Sequence, residues 1–322
     1  MSKSKLYILS RGRIFECAVE EGVVWETHRK NTPGKLTFNV VKDEVLGFHE
    51  GDAVRFDYDG HKIFFGFVFT KKRSNNRIIS VTAYDQLRYL KYKDTYVYKN
   101  KTAAQLLKMI ANDTKPNLKL GIIADTKYVI ATRVEDNEEY FTMINYALDE
   151  TIRNTGKMYV LYDDYGSLNL RDAKMLRTDI LIDEESGETF EYTTSIDENT
   201  YNKIKLTREN KEKGTREIFI AQDSASASEW GVLQYTDKVE EKENGKAKAD
   251  ALLNLYNRKT RKLNINKVFG DIRMRGGATV GVQMYLGDLT VANFMMIETA
   301  KHTFKESDHR VDLKLIGGDF VA

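Results

Sequence analysis

Between Gly51 and Leu90 the apolar and polar positions predict three β-strands followed by a short helix. The strands are Ala53-Val54-Arg55-Phe56, Ile63-Phe64-Phe65-Gly66-Phe67-Val68-Phe69 and Arg77-Ile78-Ile79-Ser80-Val81-Thr82-Ala83. The third alternates as a half-buried strand does, and the second is too aromatic to face water on both sides. Asp57-Tyr58-Asp59-Gly60 and Ser74-Asn75-Asn76 supply the turns, because Asp tolerates a tight turn and Gly a positive φ. Tyr84-Asp85-Gln86-Leu87-Arg88-Tyr89-Leu90 then leaves as a short helix with Leu87 and Leu90 on one face. The same order returns near the C-terminus. Gly276 to Val282 echoes Gly51 to Phe56, Asn293 to Ile297 echoes the Phe-rich strand, and His309 to Leu315 echoes Arg77 to Ala83. Such a recurrence predicts an internal duplication of one β unit.

In chain order, Leu6 to Leu9, Arg13 to Val19, Val23 to Thr27 and Lys35 to Val41 read as further strands, with Trp25 placed in a core. About seven short strands within residues 1–83 suit a small barrel or sandwich. Thr102-Ala103-Ala104-Gln105 forms a capping box, opening a helix through Leu106, Leu107, Ile110 and Ala111. A second helix is expected over Asn137 to Asn154, ended by Gly156. Met158 to Tyr162 and Ser167 to Leu170 form a hairpin across Asp163-Asp164-Tyr165-Gly166. Thr200 to Leu206 and Arg216 to Ala221 pair across a charged loop. Ser224 to Ser228 reads as a loop, and Gly245 to Asn257 as a helix carrying Ala249, Leu252, Leu253 and Tyr256 inward. The fold class expected is mainly β with α+β inserts: two related small antiparallel β-barrels plus smaller mixed domains. The division expected is 1–90 (first barrel), 91–182 (small α+β domain) and 183–322 (second barrel, with a helical insert around 229–262).

Composition narrows the function classes. A chain of 322 residues holds two or three domains. Lys and Arg nearly balance Asp and Glu, for a net charge of +2, unlike the basic excess of a dedicated nucleic-acid binder. The single cysteine, Cys17, allows no internal disulfide. The apolar run at the N-terminus is too short for a signal peptide, and no run reaches transmembrane length, so cytoplasmic folding and no stable membrane insertion are expected. Two prolines and no Gly/Ser-rich linker predict domains packed on one another.

Motifs of catalysis are missing from the pattern. No Walker loop, GxSxG elbow or GxGxxG stands between a strand and a helix. The histidines, His28, His49, His61, His302 and His309, show no metal-ligand spacing and read as loop or strand-end residues. Nothing in the sequence isolates a pair of carboxylates for acid–base work. No catalytic residue, metal or cofactor is expected. Charge is segregated instead. Residues 71–101 hold nine Lys/Arg against Asp85 and Asp94, whereas residues 183–198 hold seven acids and no base. Solvated faces are the plain reading. The sharper one is that subunits meet basic face to acidic face. Its candidate residues are Arg73, Arg77, Arg88 and Lys91 on one side and Asp183, Glu184, Glu185 and Glu188 on the other.

A series of segments resembles one family. Ser80-Val81-Thr82-Ala83-Tyr84-Asp85-Gln86-Leu87-Arg88-Tyr89-Leu90 is similar to a segment of the XkdQ/YqbQ baseplate hub proteins. These come from PBSX-like prophages, contractile-tailed phages and R-type bacteriocins. Gly121 to Thr126, Ser195 to Ile204, Gly245 to Leu253 and Gly270 to Gly277 resemble the family in the same order. The resemblance implies a T4-type hub fold of two related barrels with two inserts. It also implies a homotrimer matching a sixfold tail tube to a threefold spike, with no catalytic positions to carry over. Implied partners are the tail tube or tube-initiator protein, the central spike protein, baseplate wedge proteins and a tape measure protein. DNA would pass only in transit through the lumen. Assembly would take place in the bacterial cytoplasm, ahead of incorporation into the particle. The chain is short for a hub with an added wall-cleaving part, which places that activity in a neighbour. The alternatives are a peptidoglycan hydrolase of the tail tip and a tube-initiator protein with one barrel per chain.

Overall fold

The computed structural model describes residues 3–20, 22–73, 77–114, 118–210, 214–239, 243–286 and 290–317. The expected turn at Ser74-Asn75-Asn76 lies outside them. The first β unit holds β1 (Ser4–Ser10), β2 (Arg13–Glu16), β3 (Val23–His28), β4 (Lys35–Val41), β5 (Ala53–Tyr58), β6 (His61–Arg73) and β7 (Ile78–Tyr84). Alternation in β1, β3, β4, β5 and β7 turns every second side chain inward. That buries Leu6, Ile8, Leu36, Val54 and Phe56 in one core. A 3-10 helix, Gln86–Lys91, follows, with Leu87 and Leu90 buried as their spacing predicts.

The first insert contains β8 (Lys93–Lys101), α1 (Ala103–Asp113), β9 (Leu120–Ile123), β10 (Ile130–Glu139), α2 (Tyr140–Thr155), β11 (Tyr159–Asp163) and β12 (Leu168–Asp172). The capping box is present in full. Gln105 N–H donates to Thr102 Oγ1, and Thr102 N–H donates to Gln105 Oε1. Gly156 closes α2 at φ +68°, a conformation that favours glycine. The helix expected from Asn137 starts three residues later, because β10 pairs with β8 as far as Glu139.

The second β unit and its insert follow a 3-10 turn, Ala173–Leu176. They comprise β13 (Arg177–Ile182), β14 (Thr189–Ser195), β15 (Lys203–Asn210), β16 (Thr215–Gln222), α3 (Ser224–Trp230), β17 (Gln234–Lys238), α4 (Gly245–Tyr256), β18 (Thr260–Phe269), β19 (Thr279–Tyr285), β20 (Thr290–Phe304) and β21 (His309–Gly317). Residues 224–228, read as a loop, are helical. Asp223 accepts from Ser226 N and Oγ and so caps α3.

The two β units join in a single sheet of 13 strands, ordered β14-β18-β21-β20-β3-β4-β7-β6-β5-β1-β2, with β19 on β20 and β13 on β19. The two stretches with matching patterns, β5-β6-β7 and β19-β20-β21, are both antiparallel meanders. The correspondence extends outward, since β4 joins β7 as β18 joins β21, and β3 joins β4 as β14 joins β18. The units differ at one margin: β13 runs parallel to β19 where β1 runs antiparallel to β5. The insert of β15 to α4 thus occupies the place of the β3–β4 turn. Strand β20 is the seam. Its residues 290–296 pair with β19, and Thr299 to Phe304 pair with β3. A bulge between Ile297 and Thr299 marks the change, and there Glu298 meets Arg29 at 2.7 Å.

Candidate functional site

The seam gathers charge where the first β unit, the first insert and the second β unit meet. Asp85 follows β7 and caps the 3-10 helix, accepting from Leu87 N at 3.0 Å and from Gly34 N at 2.9 Å. Gly34 is needed there, because a Cβ would stand 2.2 Å from Asp85 Oδ2. Asp163 ends β11 and accepts from Gln86 Nε2 at 3.2 Å and Gly166 N at 2.7 Å. Gln86 in turn accepts from Lys119 N–H at 2.6 Å. Arg275 arrives from the second β unit. Its guanidinium lies 4.1 Å from the centre of the Tyr162 ring, and Nη2 donates to the Asp163 carbonyl at 2.6 Å. The neighbouring Gly276 donates to Thr27 Oγ1 at 2.9 Å, and a Cβ on it would sit 2.3 Å from the His28 carbonyl carbon.

Asp85 and Asp163 are buried; Arg275 is half-buried, with its Nε enclosed and without a hydrogen-bond partner among the described residues. Burial, reinforced by the Asp163 charge, pushes Asp85 well above the carboxylate range. Burial pushes Asp163 to about 6 against its bonds from Gly166 and Gln86. Burial also lowers Arg275, although the surrounding acids oppose it. A guanidinium stays charged in either case. Desolvation is the main reason both acids rise; the Asp163 charge adds to it at Asp85 and the Asp164 charge at Asp163. The acids' oxygens are spent on backbone amides and Gln86, so the cluster serves as a joint between three parts of the chain. Sequence reasoning found no isolated carboxylate pair. The one available signal was an Asp directly after a strand and before a 3-10 turn, which is a capping position.

A second polar cluster crosses the same seam. His302, read as a loop or strand-end residue, is fully buried within β20, stacked on Phe304 and tilted against Trp25. His302 Nε2 lies 2.6 Å from the Met274 carbonyl, which only accepts, so that nitrogen carries the proton. Nδ1 then accepts from His309 Nε2 at 2.9 Å. Both rings are neutral in this arrangement, and a proton on His302 Nδ1 would oppose two donors. Burial, helped by His309, lowers His302 to about 3. Burial lowers His309 to about 4 against Asp271 and Asp308. Folded values below the ordinary 6.5 mean that this stabilisation is whole above about pH 6.5 and lost as pH falls toward 4. The raised carboxylates act with the opposite sign, losing stability as pH rises from 3.8 to about 6. A variant isolates the imidazole part. His309→Asn is expected to flatten the acid loss between pH 6.5 and 4, read as urea midpoints at pH 7, 6, 5 and 4. An unchanged slope would refute the assignment.

The charged residues singled out from sequence are placed as follows. Arg73 ends β6, Arg77 precedes β7 and Lys91 ends the 3-10 helix, all exposed. Arg88 is half-buried, its guanidinium 5.2 Å from the centre of the Phe69 ring. On the acidic side, Asp183 accepts from Ser186 Oγ and Glu185 N, which holds its carboxyl below the usual range. Glu184 accepts from Tyr285 N, and Glu188 pairs with Lys267 at 2.6 Å. Glu185 is exposed. The acids therefore already shape their own turn, and Glu185 is the one with its charge turned outward. Cys17 is buried, and burial pushes its thiol up to about 12. Among the described residues, no cluster of His, Cys, Asp or Glu has the makings of a metal site. No helix among them is long and apolar enough to cross a membrane.

Two sheet-linked β units with an insert in each make a fold that solved prophage tail proteins share. A 43 kDa tail protein of prophage MuSo2 from Shewanella oneidensis superposes with a TM-score of 0.69 at 12% identity, over 99% of this chain and 100% of that one. The c3393 protein of E. coli, described as a type VI secretion component resembling T4 tail proteins gp27 and gp5, superposes with a TM-score of 0.57 at 11% identity. It covers 97% of this chain and 76% of its own. The chain belongs to the YqbQ-like family, whose model matches residues 23–316. It is 31% identical to the uncharacterized protein YqbQ of Bacillus subtilis (strain 168) over 314 residues, and 29% identical to the phage-like element PBSX protein XkdQ of the same strain over 317 residues. Each match covers 92% of both chains.

Proposed function

We propose that this chain is the structural hub of a tail baseplate, a trimeric adaptor between the sixfold tail tube and the threefold central spike. The observation that carries the reading is the internal repeat built into one sheet. One chain supplies two β units of like strand order, so three chains present six such units on one side and three chains on the other. The buried joint at Asp85, Asp163 and Arg275 supports it, because a symmetry adaptor needs its two units held in fixed relation. Tube or tube-initiator protein, spike, wedge proteins and a tape measure protein are its neighbours, and DNA crosses the lumen in transit. Catalysis plays no part in this role, and wall cleavage belongs to another tail protein. The localisation that follows is the baseplate of the assembled particle.

Co-expression with the spike and tube proteins encoded beside it, followed by light scattering on the purified complex, tests the proposal. Three copies of this chain with three of spike are expected. Six copies in a ring would mean a tube protein, and a chain that ignores both neighbours would overturn the adaptor reading.

A further inference from the structure

The sheet of β15, β16 and β17 has one covered face and one bare face. Ile204, Leu206 and Ala221 point to α4 and pack with its Ala249 and Leu252. The register sends the alternate positions outward. Ile218 stands beside Thr207 and Ile220 beside Lys205, while Lys203 and Lys238 lie along the flanks. Ile218 is 52% exposed and Ile220 48%. Arg216 and Glu209, at one end, pair with each other at 2.8 Å. Lys203, Lys205 and Lys238 form no ion pair among the described residues. The face is thus an aliphatic pair ringed by three ammonium groups that form no ion pair among the described residues. It offers no aromatic platform on which bases would stack, so its chemistry suits an acidic protein segment better than a nucleic acid.

The chain itself holds such a segment. Residues 183–198 carry seven acids and no base. Within them, β14 is the outermost strand of the large sheet, and no strand among the described residues pairs with its outer edge. Glu185 and Glu191 are exposed; Phe190 is 49% exposed on the opposite face of β14 from Glu191. The lysines of the bare face lie close in sequence to this segment, yet among the described residues no ion pair joins the two. Complementary surfaces on one chain that do not meet are what a head-to-tail contact between copies needs.

We infer that the bare face of β15–β17 receives the acidic 183–198 segment of a second copy of this chain. The inference rests on the reading of the chain as a self-assembling hub and assigns one contact within it. Lys205 and Lys203 would face Glu185 and Glu191, with Ile218 and Ile220 set against the outer edge of β14. The basic residues of 71–101 are then left for other neighbours.

Sedimentation velocity of the full chain over a concentration series, at low and high salt, tests the contact. Self-association that weakens with salt is expected. Lys203→Glu with Lys205→Glu should weaken it on the order of tenfold, and so should Glu185→Lys with Glu191→Lys. All four substitutions in one chain should restore it, and that restoration separates a contact from a folding defect. Association indifferent to either pair, failure of the fourfold swap to restore it, or a chain monomeric at every concentration would overturn the inference. Single-stranded DNA retained by the wild type and lost with the lysine pair, at unchanged self-association, would assign the face to nucleic acid instead. Failure of the hub reading would look different: self-association would persist while the complex with spike and tube did not form.

Discussion

Arg275→Met is expected to destabilise the native chain by about 3–5 kcal/mol, the cost of removing one partner from a buried charge cluster. The guanidinium is the cation set among Asp85, Asp163 and Asp164, and it also donates to the Asp163 carbonyl. Without it two buried carboxylates face each other, and protonation becomes their remaining escape. Methionine keeps roughly the length of the side chain and the contact with Tyr162, so the loss reports charge rather than volume. Adding Asp163→Asn should return part of the stability, because one uncompensated charge goes with it. Urea unfolding followed by tryptophan fluorescence, to which Trp25 near the seam and Trp230 both contribute, measures both effects. A loss below about 1 kcal/mol for Arg275→Met, or strict additivity of the pair, would mean that the cluster is not a joint.

Phe304→Ala should cost a similar amount, about 3–5 kcal/mol, through a cavity that cannot collapse. Phe304 belongs by sequence to β20 of the second β unit, yet it fills the core of the first. Its ring lies 5.2 Å from Phe56, 4.8 Å from Tyr58 and 4.3 Å from His309. The cavity walls come from two units whose strands are paired across β3 and β20, so neither moves inward without breaking the ladder. Phe304→Leu leaves most of the volume and should cost about 1–1.5 kcal/mol. Urea midpoints give the sizes. Limited proteolysis supplies the second readout, since cleavage between the β units should rise for Phe304→Ala alone. Equal costs for the two substitutions would remove the argument from volume.

Much of the fold was legible in the sequence because the relevant signals are local. The alternation in β3, β4, β5 and β7, the Thr102–Gln105 box and Gly156 each follow from residues within one turn or one strand. Errors fell where a distant partner outweighs local preference. The start of α2 is displaced because β10 finds β8. The small polar run at 224–228 folds as a helix once Asp223 caps it. Strand β14, polar and half-exposed, carries no clear pattern and exists because β18 offers a ladder.

The sequence by itself determined the two meanders, their repetition and the segregation of charge, since each is written in periodicity or composition along the chain. Only the tertiary structure decided what those elements meet. Arg275 and Asp163 stand 112 residues apart, and Gln86 and Asp163 stand 77 apart. His302, at an ordinary strand position, becomes a fully buried neutral imidazole because β3 brings Trp25 over it. The lysines of β15 and β17 become a bare face because α4 takes the other side of their sheet. Periodicity says which side of a strand is covered. The identity of the cover, and hence the charge state and energy of what lies beneath it, is fixed by contacts between residues far apart in the chain.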